Sequence, residues 1–148
     1  MGGTMSEEKK IAGTLKQIPL FQNLKRSQLN NLARIMVDRS YEPGEVIIPQ
    51  GREGYGFFMV ISGKAEAVRE ESDGSLTVVN TFGPNDYFGE LSLLDDGPHT
   101  ASVVAVEPTT CVVLPRWSFI ARLRQDADMA VEMLVEITKR FRAALDRS

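Results

Sequence analysis

The residues with the clearest capacity for chemistry lie in one run, Phe88-Gly89-Glu90-Leu91-Ser92-Leu93-Leu94-Asp95-Asp96-Gly97-Pro98-His99-Thr100-Ala101-Ser102. Gly89 lets the backbone come close to a ligand. The backbone N–H groups of a helical turn after it, at Leu91 and Ser92, attract an anion. The Glu90 carboxylate accepts hydrogen bonds from hydroxyl donors. Together these groups suit an anionic ligand that also carries hydroxyls. Covalent and metal chemistry fit less well. The chain has one histidine and one cysteine, His99 and Cys111, so no metal-ligand set can be assembled from them. A Ser-His-Asp arrangement would need a nucleophile elbow or oxyanion loop, and none is visible. The expectation is therefore no metal, no catalytic residue and no enzyme.

Three zones position this run. After a start at residues 1–5, expected to be disordered or an added leader before a natural Met5, residues 6–37 carry Ile11, Leu15 and Ile18, then Leu29, Leu32, Ile35 and Met36, at helical spacing. Pro19 interrupts them, and Ser27 is the expected cap of the second helix. Residues 38–114 change to short β-type runs at Glu45–Ile48, Phe57–Ile61, Ala65–Arg69, Leu76–Asn80, Thr100–Val106 and Thr110–Leu114. Pro43-Gly44, Gly51, Gly54, Gly56, Ser62-Gly63, Asp73-Gly74, Gly83-Pro84 and Gly97-Pro98 punctuate them, as in a barrel or jelly roll. Asp73-Gly74 predicts a tight hairpin with positive φ angles. Residues 115–146 return to helical spacing. There Ala130, Leu134, Ile137, Phe141 and Ala144 form a coiled-coil-like seam, and Val131, Met133, Val135 and Leu145 add apolar surface beyond it. The acidic residues Asp126, Asp128 and Glu132 come early in this helix and the basic Lys139, Arg140 and Arg142 late, which complements its dipole.

At 148 residues and a net charge of −3, one compact domain is expected. A mildly acidic chain lacks the basic surface that non-specific nucleic-acid binding needs, and nothing after Leu145 supplies a recognition helix. No apolar run is long enough to span a bilayer, and the amino terminus lacks a signal-peptide core. Cys111, in the apolar run Thr110–Leu114, reads as a reduced core thiol. A cytoplasmic chain with no direct nucleic-acid or membrane contact is the expectation.

The Phe88–Ser102 run resembles the phosphate-binding cassette of cyclic nucleotide-binding domains of the catabolite activator protein and kinase regulatory subunit type. The resemblance extends from about Leu20 to Leu145, through Tyr41-Glu42-Pro43-Gly44-Glu45-Val46-Ile47, Gln50-Gly51 and Phe57–Ala65. It implies a mainly β fold, a double-stranded β-helix jelly roll with helices before it and a long helix after it. It also implies cyclic AMP or cyclic GMP as ligand, with Phe88, Gly89, Glu90, Leu91, Ser92, His99, Thr100 and Ala101 as the contact set. By resemblance Glu90 takes the ribose hydroxyl; read alone, it is a helix-start carboxylate stabilised by the dipole. Leu93 and Leu94 read as core, and Asp95 and Asp96 as solvated turn residues.

The chain departs from the family pattern at three places. His99 stands where the family has the arginine that pairs with the cyclic phosphate. Asn85 replaces a turn glycine, and as the residue best suited to a left-handed conformation after glycine it keeps the turn. Tyr55 stands in what reads as an exposed loop. His99 admits three readings: a weaker ligand contact that offers one hydrogen bond rather than a fork, a degenerate site that binds no cyclic nucleotide and serves protein contacts, or a site tuned to a different ligand. The resemblance further implies that the terminal helix acts as a lid over the base. Its seam Ala130, Leu134, Ile137, Phe141, Ala144 would then join two copies of the chain, and ligand binding would shift an equilibrium between two helix positions.

Overall fold

The computed structural model describes residues 5–52, 55–95 and 97–147. Met1 to Thr4, Gly54 and Asp96, on which expectations were placed above, lie outside the described residues, whereas Met5 already belongs to the first helix. The chain divides into two compact units, one of residues 36–116 and one of residues 2–35 with 117–148.

Among the described residues, the first unit is a jelly roll of eight strands: β1 (Val37–Tyr41), β2 (Val46–Ile48), β3 (Gly56–Ser62), β4 (Ala65–Glu70), β5 (Leu76–Phe82), β6 (Tyr87–Phe88), β7 (Ser102–Ala105) and β8 (Thr109–Pro115). They form two antiparallel sheets in the orders β1-β8-β3-β6 and β2-β7-β4-β5. Strand alternation sends Phe58 and Val60, Ala65 and Ala67, Val103, and Cys111 and Val113 into one core with Ile48, Phe82 and Phe88. Phe88 stacks on Phe58 with ring centroids 5.1 Å apart and meets Phe82 at 4.8 Å. Pairs of this kind contribute about 0.5–1.5 kcal/mol beyond their buried area. They bolt the start of the cassette to the core. Cys111 is fully buried, and burial pushes its thiol up to about 11.

Two strands were not foreseen. β1 is polar along most of its length, with Asp38, Arg39 and Ser40 exposed, and it claims Val37 from the stretch read as helical. β6 is two residues long, below the length at which alternation is readable. The β4–β5 hairpin also differs from expectation. Gly74 alone has positive φ, at 86°, and the bonds Gly74 N–H to Glu71 O (3.0 Å) and Glu71 N–H to Ser75 O (2.9 Å) define a three-residue loop. Asp73 stays on the ordinary side of φ because its carboxylate is used as a local acceptor. Its Oδ1 takes the Ser75 N–H at 2.9 Å and the Ser75 hydroxyl at 2.6 Å.

The second unit contains α1 (Met5–Leu15), a 3-10 turn (Pro19–Phe21), α2 (Arg26–Ile35), α3 (Arg116–Gln125, whose first residue belongs to the barrel unit) and α4 (Ala127–Arg147). Phe21 and Phe119 meet edge to face at 6.2 Å. Ser27 is not the cap of α2: it lies inside the first turn, and Gln28 Oε1 instead accepts the Lys25 N–H at 2.9 Å, the reach-back half of a capping box. Asp126 caps α4, its Oδ1 accepting the Met129 N–H at 3.1 Å. The inward stripe of α4 is Met129, Met133 and Glu136, so Met133 is core rather than free apolar surface. Glu136 Oε1 accepts from Gln22 Nε2 and Asn23 Nδ2, both at 3.1 Å, while Arg140 Nε lies 3.9 Å from Oε2. The outward face carries Leu134 and Phe141, each 64% exposed, with Ile137, Val131, Val135 and Leu145 also exposed. Among the described residues no helix is long and apolar enough to cross a membrane.

Candidate functional site

The cassette is placed by backbone before any side chain acts. Ahead of it, Asn85 occupies the left-handed region at φ 73°, as its residue type predicted. Its N–H donates to Val60 O at 2.8 Å, Val60 N–H donates to Asp86 O at 2.9 Å, and Asp86 Oδ2 accepts the Gly83 N–H at 2.8 Å. The chain therefore enters β6 in a fixed register against β3, with Phe88 opposite Phe58. Gly89 then turns left-handed at φ 82°, and a Cβ there would stand 2.4 Å from Gly56 O. Only glycine allows this approach.

The left-handed turn launches a 3-10 helix over Glu90–Leu93. Ser92 N–H donates to Gly89 O (3.0 Å), and Leu94 and Asp95 N–H both donate to Leu91 O (3.2 and 3.0 Å). Leu93 is fully buried and Leu91 is 68% exposed, so one leucine anchors the turn while the other faces out. Leu94 is half-buried. Glu90 is half-buried, with Oε2 inaccessible to solvent. The Ser92 N–H, expected as a ligand donor, is engaged within the turn, so the group Ser92 adds to the cassette is its hydroxyl. Asp95, exposed as expected, closes the Gly-Pro turn by accepting the Gly97 N–H at 2.8 Å.

His99 returns to the turn from the far end of the cassette. A hydrogen bond of 3.3 Å joins its Nε2 to Ser92 Oγ, the two atoms exchanging roles with the ring tautomer. Its backbone is tied on both sides to the β2–β3 loop: His99 N–H donates to Arg52 O at 2.9 Å, and Gly51 N–H donates to His99 O at 2.8 Å. Burial holds the imidazole below its usual titration range, so the ring is neutral near pH 7. Thr100 is exposed, and Ala101 is half-buried against the barrel core.

The structure thus joins Ser92 to His99 directly and sets Gly89 and Glu90 at the start of the same turn. Leu91 and Thr100 stand out toward solvent. The residues that reading the sequence missed are Gly51 and Arg52. Gln50-Gly51 marked a turn, and the basic residue after it was the available signal. Arg52 is exposed and lines an open cavity of about 550 Å³ with Tyr55, Ile47, Ile48, Pro49 and Gly51. Tyr55 is partly exposed, as its loop position suggested, and its carbonyl accepts the Arg116 N–H at 2.9 Å.

The family model "Cyclic nucleotide-binding domain" matches residues 38–126. The chain is 33% identical over 130 residues to the cyclic AMP receptor protein of Thermus thermophilus, covering 88% of this chain and 60% of that protein. It is 36% identical over 105 residues to the cAMP-dependent protein kinase regulatory subunit of Yarrowia lipolytica, covering 71% of this chain and 27% of that protein. The crystal structure of the N-terminal domain of a transcriptional regulator from Streptomyces coelicolor superposes with a TM-score of 0.82 at 28% identity, covering 90% of this chain and 95% of that one. The chain spans less than two thirds of the length of both curated relatives.

Proposed function

From the premise that this chain belongs to the cyclic nucleotide-binding domain family, we propose that it is a regulatory sensor module, not an enzyme, whose ligand is cyclic AMP or cyclic GMP. The observation that carries this reading is the left-handed Gly89 set against the Gly56 carbonyl, because it brings the backbone in closely and aims the Glu90 turn by an approach that only glycine allows. Glu90 takes the ribose hydroxyl, the cassette backbone and Ala101 lie against the phosphate and sugar, and His99 with Ser92 supplies a polar end. A neutral imidazole gives one hydrogen bond where arginine gives a charged fork. Binding is correspondingly weak at neutral pH, and it strengthens in acid because a neighbouring phosphate favours the protonated ring.

Occupancy is passed on through α4. Its outward apolar face, built on Leu134, Ile137 and Phe141 with Ala130 and Ala144 on the same seam, suits a homodimer of this chain in the cytoplasm. Ligand binding would bias the position of that helix.

A second reading keeps the fold without the ligand. It is favoured by the replacement of the family's arginine at His99, and it makes the barrel a protein-interaction module. Calorimetry with cyclic AMP and cyclic GMP, at about pH 5.5 and about pH 7.5 to bracket the imidazole titration, separates the two. Heat and a raised melting temperature support the sensor. Absence of both at millimolar ligand overturns it in favour of the interaction module.

A further inference from the structure

We propose that Arg52 supplies the positive charge for the ligand's phosphate, taking over at the β2–β3 loop the part that His99 cannot play. The inference rests on the cyclic nucleotide reading above and identifies the residue that recognises the anion.

Position is the first support. Arg52 and His99 are held together by backbone, through His99 N–H to Arg52 O at 2.9 Å and Gly51 N–H to His99 O at 2.8 Å. The Arg52 backbone is therefore fixed beside the His99 end of the cassette. Gln50, two residues before Arg52, is fixed as well. Gln50 N–H donates to Ser102 Oγ at 2.8 Å, Gln50 Oε1 accepts the Glu70 N–H at 2.8 Å, and Gln50 Nε2 donates to Glu70 O at 3.3 Å. The backbone that carries Arg52 therefore does not have to be ordered when its side chain closes on a ligand.

Charge is the second support. Among the described residues the Arg52 side chain has no ion pair and no hydrogen bond. In the cassette, the Asp95 carboxylate accepts the Gly97 N–H. His99 is tethered to Ser92 and neutral near pH 7. The arginine fork, by contrast, is charged at every working pH and matches two phosphate oxygens at once.

Surroundings are the third support. Arg52 shares its cavity with Tyr55 and with the apolar Ile47 and Ile48, walls against which a flat base could lie while the phosphate meets the guanidinium. The ligand class is a phosphorylated nucleoside with a single negative charge.

The test uses the whole chain, with cyclic AMP, cyclic GMP and uncharged adenosine as probes in calorimetry, and with melting temperature as the check on folding. Arg52→Gln should weaken cyclic nucleotide binding about tenfold or more, the usual effect of losing a charged contact. Melting temperature and any adenosine binding should stay unchanged. Arg52→Lys should fall between the two, and Arg52→Gln with His99→Arg should return affinity toward the wild type. Raising salt should weaken wild-type binding and leave Arg52→Gln nearly insensitive. An Arg52→Gln variant that binds within twofold of wild type overturns this inference and leaves the sensor reading standing. A wild-type chain that binds neither cyclic nucleotide at millimolar concentration overturns both.

Discussion

Two glycines with nearly the same backbone angle should respond very differently to alanine, and the difference measures how the cassette is held. Gly74 has φ 86° with nothing within 4 Å of a Cβ built on it, whereas Gly89 has φ 82° with Gly56 O at 2.4 Å from that Cβ. In either place, holding alanine left-handed costs about 1–2 kcal/mol, offset by up to about 1 kcal/mol because the unfolded chain also loses freedom. At Gly89 the Cβ must in addition push a backbone carbonyl about 1 Å to reach ordinary contact, an overpacking term of about 1–3 kcal/mol. With about 2–4 °C of melting temperature per kcal/mol in a chain of this size, Gly74→Ala should lower the barrel's transition by roughly 3 °C and Gly89→Ala by roughly 10 °C. Urea titration of both variants, read by fluorescence of the barrel's tyrosines, gives the same comparison at constant temperature. Ligand binding should survive in Gly74→Ala and be lost in Gly89→Ala, because the clash is relieved only by moving the Glu90 turn away from β3. Equal destabilisation of the two variants would refute the claim that the Gly56 carbonyl sets the cassette, and the site geometry built on it would fall.

Other consequences can be checked singly. His99→Arg should raise cyclic AMP affinity about tenfold in calorimetry, and an unchanged dissociation constant would mean that position 99 does not face the ligand. Burial depresses the folded titration of His99, so the unfolded chain takes up this proton first. The ligand-free protein should therefore keep full stability above about pH 6.5 and lose some as pH falls through that value. His99→Gln should flatten that part of the melting profile, and a profile unchanged by the substitution would rule out His99 as its source. Cys111, fully buried with its thiol raised to about 11, should react with a thiol reagent only as fast as the barrel opens, and rapid stoichiometric labelling of the native chain would contradict its placement. Replacing Leu134 and Phe141 with glutamate should convert a sedimenting dimer to monomer while leaving the melting temperature of the monomer nearly intact, since both side chains face outward.

What the residues disclosed in advance was the punctuation and the alternation. Asn85 could be assigned a left-handed turn because only a few residue types tolerate one, and the strand at Phe57–Ile61 announced itself by length and aromatic content. β1 did not, because a strand exposed along Asp38, Arg39 and Ser40 carries no alternating apolar signal, and pairing with β8 decides its conformation. Ser27 misled for a related reason: several polar residues at a helix start can cap, and the winner is set by which side chain reaches back, here Gln28. In the site, Glu90, Ser92 and His99 were visible as types, but the Ser92–His99 bond closes a non-repeating stretch of the cassette, and the ties from Gly51 and Arg52 to His99 join residues far apart in sequence. No local pattern could have reported them.

The same backbone ties bear on whether a cassette without its usual arginine is a lost site. Had the His99 side chain been the group that positioned this segment, its replacement would have loosened the whole loop. The position of residue 99 is instead fixed by its own N–H and C=O through Arg52 and Gly51, by the closed Gly97 turn before it and by Ala101 against the core after it. A change of side chain at 99 therefore alters charge and reach without altering where the chain runs. Decay after loss of ligand binding would be expected to release positions that admit only glycine, and Gly89, where a Cβ would stand 2.4 Å from Gly56 O, is such a position. It is intact, beside a half-buried Glu90 and an arginine on the adjoining loop. A phosphate seat moved by one loop explains that combination with fewer assumptions than a pocket abandoned by its ligand, and the Arg52→Gln and His99→Arg pair decides between them.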